Sequence, residues 1–186
     1  MAKLVTEHPD FSFFDFIQNK ILRNDIEDAL LFVAYLVDTS ADIRENKYRE
    51  EFQRVIILYI ASVVEAVCLF LVEKHKLKTE KSDIKNIISV SIKDVKVDNG
   101  DLIIAIRKKK DCNIKEIPFA ETIILLSNAN LINNNIKKNL DTLRLKRNSQ
   151  HLYGRGKNRI SKKDVEQSLK TLSSLLSNIK NLQQNN

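Results

Sequence analysis

Residues 55–72, VIILYIASVVEAVCLFLV, form an eighteen-residue apolar run interrupted by one charge, Glu65. A run of this length suits either a membrane span or the central helix of a bundle. Glu65 lies near its middle, where a carboxylate is costly in lipid. The preceding residues 48–54 are highly charged, as an amphipathic helix entering a core would be. The run therefore reads as a central helix of a soluble bundle, apolar on all sides. Glu65 is then a buried carboxylate that must find a cation or a hydrogen-bond donor.

The rest of the chain agrees with a helical fold. Only three Gly and two Pro occur in 186 residues; helices need few such punctuators and all-β folds need many. The chain is long enough for one domain with a real core, residues 1–186, and shows neither internal repeats nor a domain linker. A hydrophobic share of 43% and a charged share of 30% are globular, not disordered, values. The net charge of +7 and pI near 9.3 favour a polyanionic partner such as nucleic acid. Cys68 reads as a small buried hydrophobe, and neither it nor Cys112 has a ligand or disulfide spacing, so a reducing, cytoplasmic setting is expected. The first residues carry no long apolar stretch and no small-residue cleavage site, so no signal peptide is expected.

Periodicity places the elements. A first helix is expected to open at Asp10 or Ser12, one of them its N-cap, and to run to about Val37, with Phe14, Ile17, Ile21, Ile26, Leu30, Val33 and Val37 near helical spacing. Asp38-Thr39-Ser40 is expected to cap and restart the chain. The second helix is amphipathic through Tyr48 and Phe52, apolar to Val72, and closes in the charged residues 73–78. From Ile88 the period changes to two, through Val90, Ile92, Val95 and Val97. Asn99-Gly100 then precedes LIIAIRKKK, a strong signal for a type I′ turn. An inserted β-hairpin is therefore expected at about 87–109, with Arg107 to Lys110 as the solvated tail of its strand. After Pro118 a short helix runs from Phe119 to about Asn128. Another runs from Ile132 or Asn135 to His151, with Ile136, Leu140 and Leu143 on one stripe, and Gly154 and Gly156 end it. Ser161 and Asp164 approach a capping box for a last helix that turns Val165, Leu169, Leu172, Leu176 and Ile179 inward. The tail NLQQNN is expected to fray.

The functional signal is concentrated in RLKRNSQHLYGRGKNRISKK, residues 144–163, which holds eight basic side chains and no Asp or Glu. At 100° per residue from Arg144, Arg147 falls at about 300°, Asn148 at about 40° and His151 at about 340°. Leu140 and Ile136 lie on the same side, so the polar cluster continues the apolar stripe. Arg and His at a helix C-terminus also suit the negative end of its macrodipole. A core-facing arginine pair, however, needs an anion: Glu65 is the internal candidate and a phosphate the external one.

LRLKRNSQHLY resembles the signature of HEPN domains, all-helical bundles whose motif is an Arg, four to six residues, then a His, often with Asn following an Arg. Arg144 and His151 have six residues between them and fit that spacing. Arg147-Asn148 matches the dipeptide but leaves three residues before His151. His151-Leu152-Tyr153 also resembles the His-x-Tyr extension of HEPN toxins paired with a nucleotidyltransferase antitoxin, in which the tyrosine can be modified. The resemblance implies a bundle of about five helices, a metal-independent endoribonuclease acting as a homodimer, and a role as a toxin or antiphage effector. A non-catalytic RNA-binding or assembly module of the same fold is the alternative.

The residue chemistry fits that implication. His151 suits withdrawal of a proton from a ribose 2′-OH, since a base needs a pKa near the working pH. Arg144 and Arg147 suit a phosphate and its transition-state charge, and Asn148 suits orienting either partner. Lys146, Tyr153, Arg155, Lys157 and Arg159 are expected to bind the substrate, with Glu65 supporting the arginines. His8 and His75 are isolated, no cluster has metal-ligand spacing, and no cofactor is expected.

Overall fold

The computed structural model describes residues 11–78, 80–85, 104–109, 116–150 and 159–184. Five helices account for most of them: α1 (Lys20–Asp42), α2 (Asn46–Lys74), α3 (Phe119–Asn128), α4 (Asn134–Asn148) and α5 (Lys162–Gln184). All five contribute to a single apolar core, as expected of a helical bundle.

The helix α2 is the axis of that core. Ile56, Ile57, Ile60, Ala61, Val64, Val67, Cys68 and Val72 are 1% exposed or less, and α1, α3, α4 and α5 all pack on this helix. The helix is long and apolar enough to cross a membrane, yet 56% of its apolar window is buried inside the protein. It is not enclosed on every side, however. Val55, Leu58 and Tyr59 face outward, and Tyr59 joins Phe32 of α1 (ring centroids 4.9 Å apart) in an exposed aromatic cluster with Tyr35.

The first helix begins and ends later than its periodicity suggests. A 3-10 turn at Ser12–Phe14 precedes it, burying Phe14 and Ile17. Asn19 is the true N-cap: its Oδ1 accepts from the backbone N–H groups of Ile21 (3.1 Å) and Leu22 (3.2 Å), satisfying two orphan donors with one side chain. Ser12 lies instead in the preceding 3-10 turn, and Asp10 lies outside the described residues. At the other end, Thr39 and Ser40 donate to the carbonyls of Tyr35 and Val37 inside the helix, instead of capping a new one. The helix stops at Asp42, where Arg49 Nε donates to the Ile43 carbonyl at 3.1 Å. Residues 43–45 are all that separate α1 from α2, and so short a connection makes them antiparallel neighbours.

Both α2 and α3 end in Schellman motifs. At α2, Leu77 N–H donates to the Val72 carbonyl and Lys76 N–H to that of Glu73. Lys76 therefore sits at φ 50°, a left-handed position without glycine. Asn130 does the same after α3 at φ 56°, where an asparagine is better tolerated.

Strands β1 (Glu80–Lys85) and β2 (Ile104–Lys109) pair antiparallel, with Lys85 opposite Ile104 and Glu80 opposite Lys109. The expected hairpin is not shown within the described residues: the partner of β2 lies upstream of the period-two run, and the Asn99-Gly100 turn falls outside them. Lys110 and Cys112 also lie outside.

Candidate nucleic-acid interface

Asn133 opens α4, its Oδ1 accepting from Ile136 N–H at 2.9 Å. Ile136, Leu140 and Leu143 then face the core as expected. The helix closes at Asn148, three residues before His151, when Ser149 N–H returns to the Leu145 carbonyl and Gln150 N–H to that of Arg147. The helix thus carries Arg144, Arg147 and Asn148, of which only Arg147 follows the core-side stripe, but it ends before His151. The reason is local: Ser149 turns its hydroxyl back to the Lys146 carbonyl (2.8 Å), and Gln150 Nε2 donates to the same carbonyl (2.9 Å), tying off the last turn. His151, Tyr153, Arg155 and Lys157 lie outside the described residues.

The structure sends the basic side chains of α4 to different partners. Arg147 continues the Ile136–Leu140–Leu143 stripe and meets Glu65 of α2, its Nη1 donating to Glu65 Oε2. Its guanidinium also stands 5.9 Å from the centroid of the buried Phe119 ring, within cation–π range. Both ionic partners keep some access to water, with side-chain exposures of 30% and 24%. Glu65 thus has the cationic partner its place in the apolar run demands. Among the described residues only Nη1 of the five Arg147 donors is engaged, so the planar fork retains capacity for a second anion.

Arg144 is turned aside, with Nε 3.2 Å from Asp141 Oδ1 on its own helix. Lys146 points the other way, across to α5, where its ammonium pairs with Asp164. Asn148 is exposed at the helix end. The proposed quartet is therefore not one packed cluster: Arg147 faces α2, Arg144 lies on the flank, and Asn148 faces solvent.

Asp164 organises the return of the chain. Its Oδ2 accepts from the backbone N–H and the hydroxyl of Ser161, both at 2.8 Å, which is the reciprocal half of a capping box at the start of α5. Burial raises the Asp164 pKa, but the hydrogen bonds from Lys146 and Ser161 outweigh it and hold the group below the ordinary Asp value. The Lys146–Asp164 pair brings the C-terminus of α4 beside the N-terminus of α5, where Arg159, Lys162 and Lys163 are exposed. Lys146 and Arg147 in the last turn of α4 complement the negative end of its dipole. On α5, Val165, Leu172 and Ile179 are buried as expected and are joined by Ser168 and Leu175, while Leu169 and Leu176 lie at the margins of the core.

Arg54, Glu50 and Gln150, which lie beside this arrangement, carried little sequence signal. Arg54 is 5% exposed, with Nη1 donating to Gln150 Oε1 (2.6 Å), Nη2 to Glu50 Oε1 (2.5 Å), and Nε 3.6 Å from Glu51 Oε1. Glu50 Oε1 also accepts from Ile160 N–H at 3.3 Å. The i,i+4 spacing of Glu50 and Arg54 was visible, but its burial against Gln150 was not, because the contact spans 96 residues.

No protein-family model, curated protein or solved structure matches this chain. The resemblance to HEPN domains therefore stands on its motif residues.

Proposed function

We propose that this chain is a HEPN-type endoribonuclease, a helical bundle carrying a β-hairpin insertion, that works in the cytoplasm as a homodimer. The observation that carries the reading is the position of Arg147-Asn148 in the closing turn of α4, on the motif leading to His151, with the Arg147 fork held by a single bond to Glu65. His151 takes the proton from a ribose 2′-OH, whose oxygen attacks the adjacent phosphorus. The P–O5′ bond breaks, leaving a 2′,3′-cyclic phosphate and a 5′-hydroxyl. The unengaged donors of Arg147 and Arg144 face the charge that builds on the phosphoryl oxygens, and Asn148 orients phosphate or imidazole. The leaving oxygen also needs a proton, and a second copy of the chain supplies a second histidine for it. A nucleotidyltransferase-type antitoxin acting on Tyr153 would fit a toxin or antiphage role.

The test is cleavage of structured and unstructured RNA in EDTA by the wild type and by His151→Ala. Activity in the first and its loss in the second supports the proposal. Equal activity in both, or none in either from well-folded protein, removes it.

A non-catalytic RNA-binding module is favoured by one specific observation: Arg144, Lys146 and Arg147 each already face an internal carboxylate. That reading expects RNA binding that survives His151→Ala.

A further inference from the structure

We propose that the outer face shared by α1 and α2 is a docking site for a basic amphipathic helix of another protein. The proposal does not depend on the nuclease reading and uses neither the motif nor its arginines.

The face is built from two stripes on helices that pack together. On α1 the outward positions at helical spacing are Asp28, Leu31, Phe32, Tyr35, Asp38 and Asp42, all exposed. This stripe is apolar at its centre, where Leu31 is 46% and Tyr35 62% exposed, and acidic at both ends. On α2, Val55, Leu58 and Tyr59 are exposed beside it. Phe32 joins the two, its ring 4.9 Å from that of Tyr59 and 6.3 Å from that of Tyr35. Single exposed apolar side chains are ordinary, but a contiguous group rimmed by charge marks an interaction surface. The hydroxyls of Thr39 and Ser62 beside it donate to the carbonyls of Tyr35 (2.8 Å) and Leu58 (2.9 Å), so an apolar partner leaves neither donor unmet.

Charge selects the occupant. Residues 24–43 hold five acids and no Lys or Arg, in a chain of net charge +7. Glu27 is taken by Arg23, whereas Asp25, Asp28, Asp38 and Asp42 are exposed and have no ion pair among the described residues. Such a face repels nucleic acid and anionic lipid. A second copy meeting it across a two-fold axis would set one acidic stripe against another. A partner with Lys or Arg at both ends of an apolar stripe matches it. Asp28 and Asp38 stand about 15 Å apart along the helix axis. The partner's cations therefore belong about ten residues apart on one helical face, with apolar residues between them.

The experiment titrates the full chain with a synthetic helical peptide of about eighteen residues, with Leu along one face and a Lys-Arg pair at each end of it. A second peptide has Glu in place of every Lys and Arg. We expect only the basic peptide to bind, its affinity falling severalfold as salt rises from about 50 to about 500 mM. Asp28→Lys with Asp38→Lys should weaken that binding by about tenfold or more and confer binding of the acidic peptide. Tyr35→Ser with Leu58→Ser should also weaken it, with the circular dichroism unchanged. Glu121→Lys with Glu166→Lys, the same change of charge on α3 and α5, should leave it as it was. No binding of the basic peptide, equal binding of the two peptides, or an equal loss in the Glu121 and Glu166 variant overturns the proposal. So does a dimer in sedimentation that Tyr35→Ser with Leu58→Ser dissociates, since a second copy would then be the occupant.

Discussion

Arg147 at the end of α4 and Glu65 in the middle of α2 form an ion pair over the ring of Phe119, joining the motif helix to the axis of the bundle. Two roles meet in this one contact. Glu65 needs the cation because it stands in an apolar run, and Arg147 needs the carboxylate because it continues an apolar stripe. Removing either partner leaves the other charge at a half-buried site.

A double-mutant cycle separates the structural role from the catalytic one. Glu65→Gln and Arg147→Met should each lower unfolding free energy by about 1–3 kcal/mol, and the double mutant should lose about 1 kcal/mol less than their sum. Glu65→Gln should leave RNA binding intact, since its amide oxygen still accepts from Arg147 and the other donors of the fork stay available. Arg147→Met should weaken it. Urea titration and RNA binding on the four proteins check both parts.

That pair also marks how much was legible in the sequence. A lone carboxylate in an apolar run and a cation on an apolar stripe each advertise an unmet need, so Glu65 and Arg147 could be matched without a structure. Arg54 advertised nothing of the kind. It borders the apolar run and has Glu50 one turn away, which is the pattern of an ordinary surface pair, and its burial depends on Gln150 arriving from the far end of the chain. Helix ends failed for a related reason. Asp38-Thr39-Ser40 has the composition of a cap, but its hydroxyls found carbonyls within the helix, and α1 runs on to Asp42, beyond which Arg49 Nε donates to the Ile43 carbonyl. Periodicity identified α2 and α3 and the inward residues of α4 because burial itself imposes that spacing.

Acid should release the contact between α4 and α5. The Asp164 carboxyl is held below its ordinary value in the folded protein, with burial opposing the hydrogen bonds from Lys146 and Ser161. A depressed folded pKa contributes stability that is complete above the unfolded value and is lost as pH falls through the folded one. The unfolded value is about 3.9, so unfolding free energy should be level from neutrality to near pH 5 and decline below it. Asp164→Asn should be less stable at pH 7 and should show a shallower decline. Chemical denaturation at a series of pH values from 7 to about 2.5 measures the difference; parallel curves for the two proteins would contradict it.

Lys76 offers a change in the opposite direction. It occupies the left-handed position of a Schellman motif, where a Cβ crowds the following carbonyl and glycine does not. Lys76→Gly should therefore raise stability by about 1 kcal/mol, despite the greater freedom glycine gives the unfolded chain. Asn130→Gly should gain less, since asparagine already tolerates that conformation. Thermal melts of the two variants rank the effects, and a loss of stability in Lys76→Gly would show that its side chain has a role outweighing the backbone strain.

Salt dependence distinguishes cations that grip RNA from those spent inside the fold. Lys146 is paired with Asp164 and Arg144 with Asp141, whereas Arg159 is exposed and has no ion pair among the described residues. Each phosphate neutralised on a single strand contributes about 0.7 to the slope of log K against log salt. Replacing Arg155, Lys157 and Arg159 together with Gln should thus flatten the slope by about 2 if all three meet phosphates. Lys146→Gln should leave the slope nearly unchanged while reducing stability, because its charge already serves Asp164. RNA titrations at several salt concentrations, read beside denaturation curves, test the division directly. A Lys146→Gln slope as flat as that of the triple variant would place Lys146 on the RNA and not on α5.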